Sequence, residues 1–135
     1  MNNFDLKNKT AIITGGAQGF GLDIAKTFLN SGAKVFIWDI DEAELLKAVK
    51  QIDNKNLDIN VVDVSKFEQV KDAVNKISSN NQIDILVNSA GITGPTAELW
   101  NYDNKAWSDI VNINLHGTFY CCKSVVPIMI KNNYG

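Results

Sequence analysis

"IITGGAQGFGLDI", Ile12 to Ile24, decides the fold. It passes from an apolar run into a turn with glycines at 15, 19 and 21, and then into residues whose apolar members recur at helical spacing. Thr10–Thr14 reads as a short strand. Leu22, Ala25, Phe28 and Leu29 mark one face of a helix that Gly32 stops. The next segment, "KVFIW" (Lys34–Trp38), is β-branched and aromatic, the composition of a second strand.

Working outward, the alternation continues. Asp41 and Glu44 read as a helix N-cap with its return partner, followed by Leu45, Leu46, Val49 and Ile52 on one helix face. Ile59–Val62 is strand-like. Ser65 and Glu68 read as a second capping box ahead of Val70, Val74 and Ile77, and Ile83–Val87 as a fourth strand. After "NSAGITGP" a long helix is expected from about Asp103, with Trp107, Val111, Leu115, Phe119 and Cys122 on its buried side. Strands that are near-continuous apolar runs belong in a parallel sheet covered on both faces. Right-handed crossovers then give an α/β, doubly wound sheet. No repeat, low-complexity tract or linker interrupts the sequence, so residues 1–135 read as one domain.

Composition agrees. The chain has 135 residues, enough for one domain with a sizeable core, and 45% hydrophobic and 21% charged residues place it among ordinary globular proteins. A net charge of −2 gives no basic face for nucleic acid. The longest apolar run, Val125–Ile130, is too short for a membrane span and contains Pro127; the N-terminus has no apolar core of a signal peptide. The expected compartment is the cytoplasm. Cys121 and Cys122 are adjacent, which suits neither an ordinary disulfide nor a CxxC metal site, and they read as small buried hydrophobes. No metal site is expected.

In a doubly wound sheet, ligands bind at the carboxyl ends of the strands where the winding reverses. A glycine turn there lets the backbone approach a diphosphate, with the free N–H groups and positive end of the following helix turned toward its charge. Tight turns also use glycine with no ligand, so the turn alone leaves both readings open. Asp39, at the end of the second strand, adds an acceptor for both ribose hydroxyls of NAD, and it would repel a 2′-phosphate. It is followed by Ile40 rather than Arg or Lys, so NAD is favoured over NADP. "VVDV" puts Asp63 and Val64 at the same edge, and "NSAG" (Asn88–Gly91) ends the fourth strand with small residues.

With these residues the chain resembles the short-chain dehydrogenase/reductase family. "TGGAQGFG" (Thr14–Gly21) matches its TGxxxGxG turn, "NSAG" its NNAG with Ser89 for the second Asn, and "VNINLHGTF" (Val111–Phe119) its helix carrying a functional Asn. The resemblance implies a Rossmann fold and a role for each matching position. Gly15, Gln18, Phe20 and Gly21 would line the diphosphate and adenosine ribose; Asp39 and Ile40 would hold that ribose. Asp63 would bind the adenine amino group with Val64 beside the ring, and Asn88, Ala90 and Gly91 would line the nicotinamide side. Asn114 would be the helix-borne member of a catalytic Ser–Tyr–Lys–Asn set, holding a relay water and distorting its helix. His116, the only histidine, reads as a surface or packing residue.

The family's YxxxK pair has no counterpart here: Tyr102 is followed at +4 by Ala106 and Tyr120 by Ser124, while Tyr134 stands next to the final Gly135. Family members run to roughly twice this length, so the expectation is the N-terminal, cofactor-binding half of an alcohol/ketone oxidoreductase of sugar/polyol or 3-oxoacyl type, itself inactive. A strand order 3-2-1-4 would leave the fourth strand as a bare edge. The longer protein is expected to be a homo-oligomer acting on a small-molecule substrate, without nucleic acid or membrane. The alternative is a non-catalytic module that binds NAD to report redox state.

Overall fold

The computed structural model describes residues 4–135; the first three residues of the N-terminal segment read above for targeting signals lie outside the described residues. Four strands, β1 (Thr10–Thr14), β2 (Lys34–Asp39), β3 (Leu57–Val61) and β4 (Ile85–Asn88), form one parallel sheet in the order β3-β2-β1-β4. The winding reverses between β1 and β4. Helices α1 (Gly19–Asn30), α2 (Glu42–Ile52) and α3 (Phe67–Ser78) connect the strands, and α4 (Asn104–Ile110) and α5 (Thr118–Lys131) follow β4.

The apolar runs are buried on both faces because alternate residues feed two cores. Ala11, Ile13, Val35 and Ile37 pack with Ala25, Leu29, Leu45 and Ala48 of α1 and α2. Ile12, Phe36 and Trp38 point the other way, onto Val70, Val74 and Ile77 of α3 and Cys121 and Val125 of α5. This is the period-two division that a parallel sheet with helices on both sides requires. At the far end of β1, the buried Asp84 carboxylate accepts from the Thr10 N–H at 2.8 Å and lies 3.7 Å from the Lys9 ammonium. No helix among the described residues is long and apolar enough to cross a membrane.

Beyond shifts of one or two residues at the bounds of β3 and β4, the structure differs from the sequence reading at three places. Asp41 caps α2 by accepting from the Glu44 N–H at 3.1 Å, but its own N–H donates to Asp39 Oδ1 rather than to the Glu44 side chain. Ser65 does not cap α3: the N-cap is Lys66, and the Ser65 hydroxyl is taken by Asp63. The third difference is the last helix. Trp107, Leu115 and Phe119, expected on its buried side, are exposed, and the buried positions are Gly117, Cys121 and Val125. Trp107 precedes the π-helical segment, Val111–Gly117, that is inserted between α4 and α5 and accounts for the positions after it. Its wider turn rotates everything that follows relative to a 3.6-residue extrapolation.

Candidate dinucleotide-binding site

The β1–α1 turn is built by two close approaches. Gly15 has φ +61°, and a Cβ on it would sit 2.8 Å from Ala90 Cα, so the ends of β1 and β4 nearly touch there. Gly21 is buried, and its Cβ would run into the Gly15 carbonyl oxygen, so the first turn of α1 lies directly on the preceding loop. The buried Thr14 hydroxyl joins the two strand ends by accepting from the N–H groups of Ser89 (3.1 Å) and Ala90 (3.0 Å). Gln18 is the N-cap of α1 but its side chain makes no capping bond, and no acid occupies the first helical turn. The positive end of the helix therefore stands unneutralised beside the turn.

Asp39 ends β2 against that turn. Its Oδ2 accepts from the Ala17 N–H and its Oδ1 from the Asp41 N–H, both at 3.3 Å, while the Gly16 N–H donates to the Trp38 carbonyl at 3.0 Å. The carboxylate is thus held by backbone donors and remains half-buried. Phe20 and Ile40 are 86% and 67% exposed, which leaves two large apolar side chains uncovered close to the acid. Asp63, just past β3, has its Oδ1 fixed by the Ser65 N–H (2.9 Å) and hydroxyl (2.6 Å), and Val64 beside it is buried.

The third wall comes from the end of β4. Asn114 sits inside the π-helical segment, and its amide hydrogen-bonds both backbone groups of one residue: Nδ2 donates to the Ile92 carbonyl and Oδ1 accepts from the Ile92 N–H, each at 2.9 Å. The Thr118 hydroxyl donates to the Asn114 carbonyl at 3.0 Å. Gly117 fits against Val64, where a Cβ would come 2.7 Å from Val64 Cγ2.

These walls enclose one cleft of about 560 Å³. Gly15, Gln18, Phe20, Asp39, Ile40, Asp63, Val64, Ala90 and Gly91 all line it. Three other expected residues do not. Gly21 lies beneath the turn, Asn88 is exposed with its Nδ2 3.5 Å from Cys122 Sγ, and Asn114 reaches the site through Ile92, which does line it. Trp38, Ser89, Ile92 and Ile113 also line the cleft and were not expected. Ser89 lies within "NSAG" and Ile92 directly follows it, so both could have been read from position alone. Trp38 reads as core, and Ile113 lies in the π-helical segment. Among the described residues, no group of three or more His, Cys, Asp or Glu could hold a metal ion. Burial, and secondarily the neighbouring Cys122, push the Cys121 thiol up to about 12, so it stays a neutral part of the core.

A family model described as short chain dehydrogenase matches residues 9–135. The chain belongs to the short chain dehydrogenase family. Among curated short chain dehydrogenase relatives, it is 36% identical over 128 residues to a 2-dehydro-3-deoxy-L-rhamnonate dehydrogenase (NAD(+)) of Sphingomonas sp., covering 94% of this chain and 51% of that protein. It is 39% identical over 134 residues to the 3-oxoacyl-[acyl-carrier-protein] reductase FabG of Chlamydia trachomatis, covering 96% and 54%. The crystal structure of gox2181 superposes with a TM-score of 0.91 at 36% identity, covering 96% of this chain and 52% of that one. The chain thus spans about half the length of the curated relatives it matches. The β3-β2-β1-β4 sheet is the short chain dehydrogenase's Rossmann-type fold.

Proposed function

We propose that this chain binds NAD in the cleft between the β1–α1 turn and the ends of β2, β3 and β4, and serves an oxidoreductase that exchanges a hydride between nicotinamide and an alcohol or ketone. The observation that carries the reading is the pairing of two features at one cleft: a turn packed so closely at Gly15 and Gly21 that neither position has room for a Cβ, and an acid fixed to it by the Ala17 N–H. The residues present fit an adenine dinucleotide. The N–H groups at the start of α1 would face the diphosphate. Asp39 would accept from the ribose hydroxyls, and Ile40 and Val64 would supply apolar surface to the base, with Asp63 at its amino group. Ala90 and Gly91 are small enough for the nicotinamide side to lie against the backbone. Asn114 holds the Ile92 peptide at the edge of that region and fixes the shape of the site.

When bound, NAD would supply or accept the hydride. This chain's own residues bind and orient the dinucleotide. No Lys or Arg lines the cleft, and Asp39 would stand where a 2′-phosphate needs a cation, so NAD is preferred over NADP. The names of the relatives make sugar-acid and 3-oxoacyl compounds the two substrate classes to test. The exposed apolar side chains of Trp107, Leu115, Phe119 and Ile130 on the α4–α5 face support a homo-oligomer.

Parallel titrations with NADH and NADPH, read by protein-to-nicotinamide fluorescence transfer, test the cofactor reading. NADH is expected to bind at least about tenfold more tightly, the scale of one unpaired charge repulsion. Equal affinities would remove the role given to Asp39.

A further inference from the structure

Phe20 is the second residue of α1, lines the cleft and is 86% exposed. Side chains on a helix lean toward its N-terminus, so this ring leans toward the β1–α1 turn rather than along α1. Its surroundings follow from the sheet order. Across the cleft stand, in turn, Asp63 and Val64 after β3, Asp39 and Ile40 at β2, the turn with Phe20 after β1, and Ala90 and Gly91 after β4. Gly15 links the last two: a Cβ on it would meet Ala90, and a Cβ on Gly21 would meet the Gly15 carbonyl. The first turn of α1 is therefore one residue away from the β4 wall. Trp38, the other aromatic residue lining the cleft, is fully buried, so Phe20 has the one aromatic face there that is open to a ligand.

We propose that Phe20 is a specificity-determining residue for the oxidation state of the cofactor: its ring face receives the nicotinamide as a pyridinium and makes the cleft bind NAD+ more tightly than NADH. This rests on the NAD reading above and adds to it the form of the cofactor that the chain takes up. A dinucleotide with its adenosine at β3 and β2 and its diphosphate at the turn brings the nicotinamide to the β4 side, beside Phe20. The pyridinium of NAD+ carries a positive charge, and the dihydropyridine of NADH carries none. An aromatic face attracts a cation within about 6 Å through its quadrupole, and an aliphatic side chain does not. Both forms gain apolar contact from the ring, so that contact cancels in the comparison and the charge decides it. The other charges of the site do not undo the preference. Among the described residues no Lys or Arg lines the cleft to repel the pyridinium. The positive end of α1 faces the diphosphate, which offsets it. The lining carboxylates, Asp39, Asp41 and Asp63, stand at the β2 and β3 ends; they act in the same direction as the ring, but from farther off and screened by salt.

The test is a calorimetric titration of the 135-residue chain with NAD+, NADH and ADP-ribose, the last of which lacks the nicotinamide. Wild type is expected to bind NAD+ at least about threefold more tightly than NADH. Phe20→Leu keeps an apolar side chain at this exposed position and removes the ring. It is expected to weaken NAD+ by at least about threefold and to leave NADH and ADP-ribose within about twofold of wild type. Phe20→Tyr, which keeps the ring, is expected to retain the wild-type ratio. A smaller preference in wild type, or tighter binding of NADH, would overturn the proposal without any variant. An unchanged ratio in Phe20→Leu, or a lost one in Phe20→Tyr, would overturn it as well. So would an equal loss of NAD+ and ADP-ribose in Phe20→Leu, which would put the side chain against the adenosine or diphosphate instead. Binding of none of the three ligands by wild type would overturn the NAD reading itself, a distinct result.

Discussion

Gly21 shows how much of the site rests on single atoms. A Cβ at this position meets the Gly15 carbonyl oxygen, so the first helical turn and the preceding loop can lie together only without one. Gly21→Ala is expected to cost about 1–3 kcal/mol of stability, as overpacking does, and to abolish NADH binding by displacing the turn. Gly19 differs: nothing lies within 4 Å of its would-be Cβ, and its constraint is a φ of +56°. A denaturant melt and a titration of Gly21→Ala measure both effects, and unchanged binding would contradict the cradle. Cys121 gives a pH signature. Its thiol is raised from 9.0 to about 12 in the fold, so the stability it contributes is complete below pH 9 and is lost as pH climbs from there toward 12. The loss approaches about 1.4 kcal/mol per pH unit in that window. Melts at about pH 8 and about pH 10.5 should therefore separate wild type from Cys121→Ala, in which this slope is absent.

The elements divide into those whose local sequence suffices and those that tertiary context decides. β1, α1 and β2 were legible because propensity, period and stop signals agree over Thr10–Trp38. The positions at the strand ends that line the cleft were legible for the same reason: the ends of parallel strands are fixed once the strands are. The α4–α5 region was not. Its apolar positions suit a continuous helix, but the π-helical turn at Val111–Gly117 moves Cys121 and Val125 into the core and Phe119 out of it. No propensity pattern marks a π turn; only Asn114, placed by family resemblance, hinted at a distortion there. The turn also brings Gly117 onto Val64, at the cleft wall. Gly117→Ala should push Val64 into the cleft and lower NADH affinity by about tenfold, with a stability loss of about 1–3 kcal/mol. An affinity equal to wild type would show that the π-helical segment and the base pocket are uncoupled.

The whole molecule places its cleft at the one point where the winding changes direction, between β1 and β4, and draws on all four strand ends to line it. That arrangement follows from topology: helices α1 and α2 cover one face, α3 and α5 the other, and the loops diverge above the gap. The family resemblance implied the order of the strands, and the sequence carried the alternation of strands and helices through the spacing of its apolar runs. It could not carry the clamp on Asp63 or the Asn114–Ile92 pairing, because both join residues through loop conformations that no periodicity encodes. The most direct test is a map of backbone amide chemical shifts of the 135-residue chain as NAD is added. The largest changes are expected at Gly15, Gln18, Gly19 and Phe20, with accompanying changes at Asp39, Asp63 and Gly91. Saturating NAD that leaves the amides of residues 15–21 unmoved would contradict the reading of this turn as a diphosphate cradle.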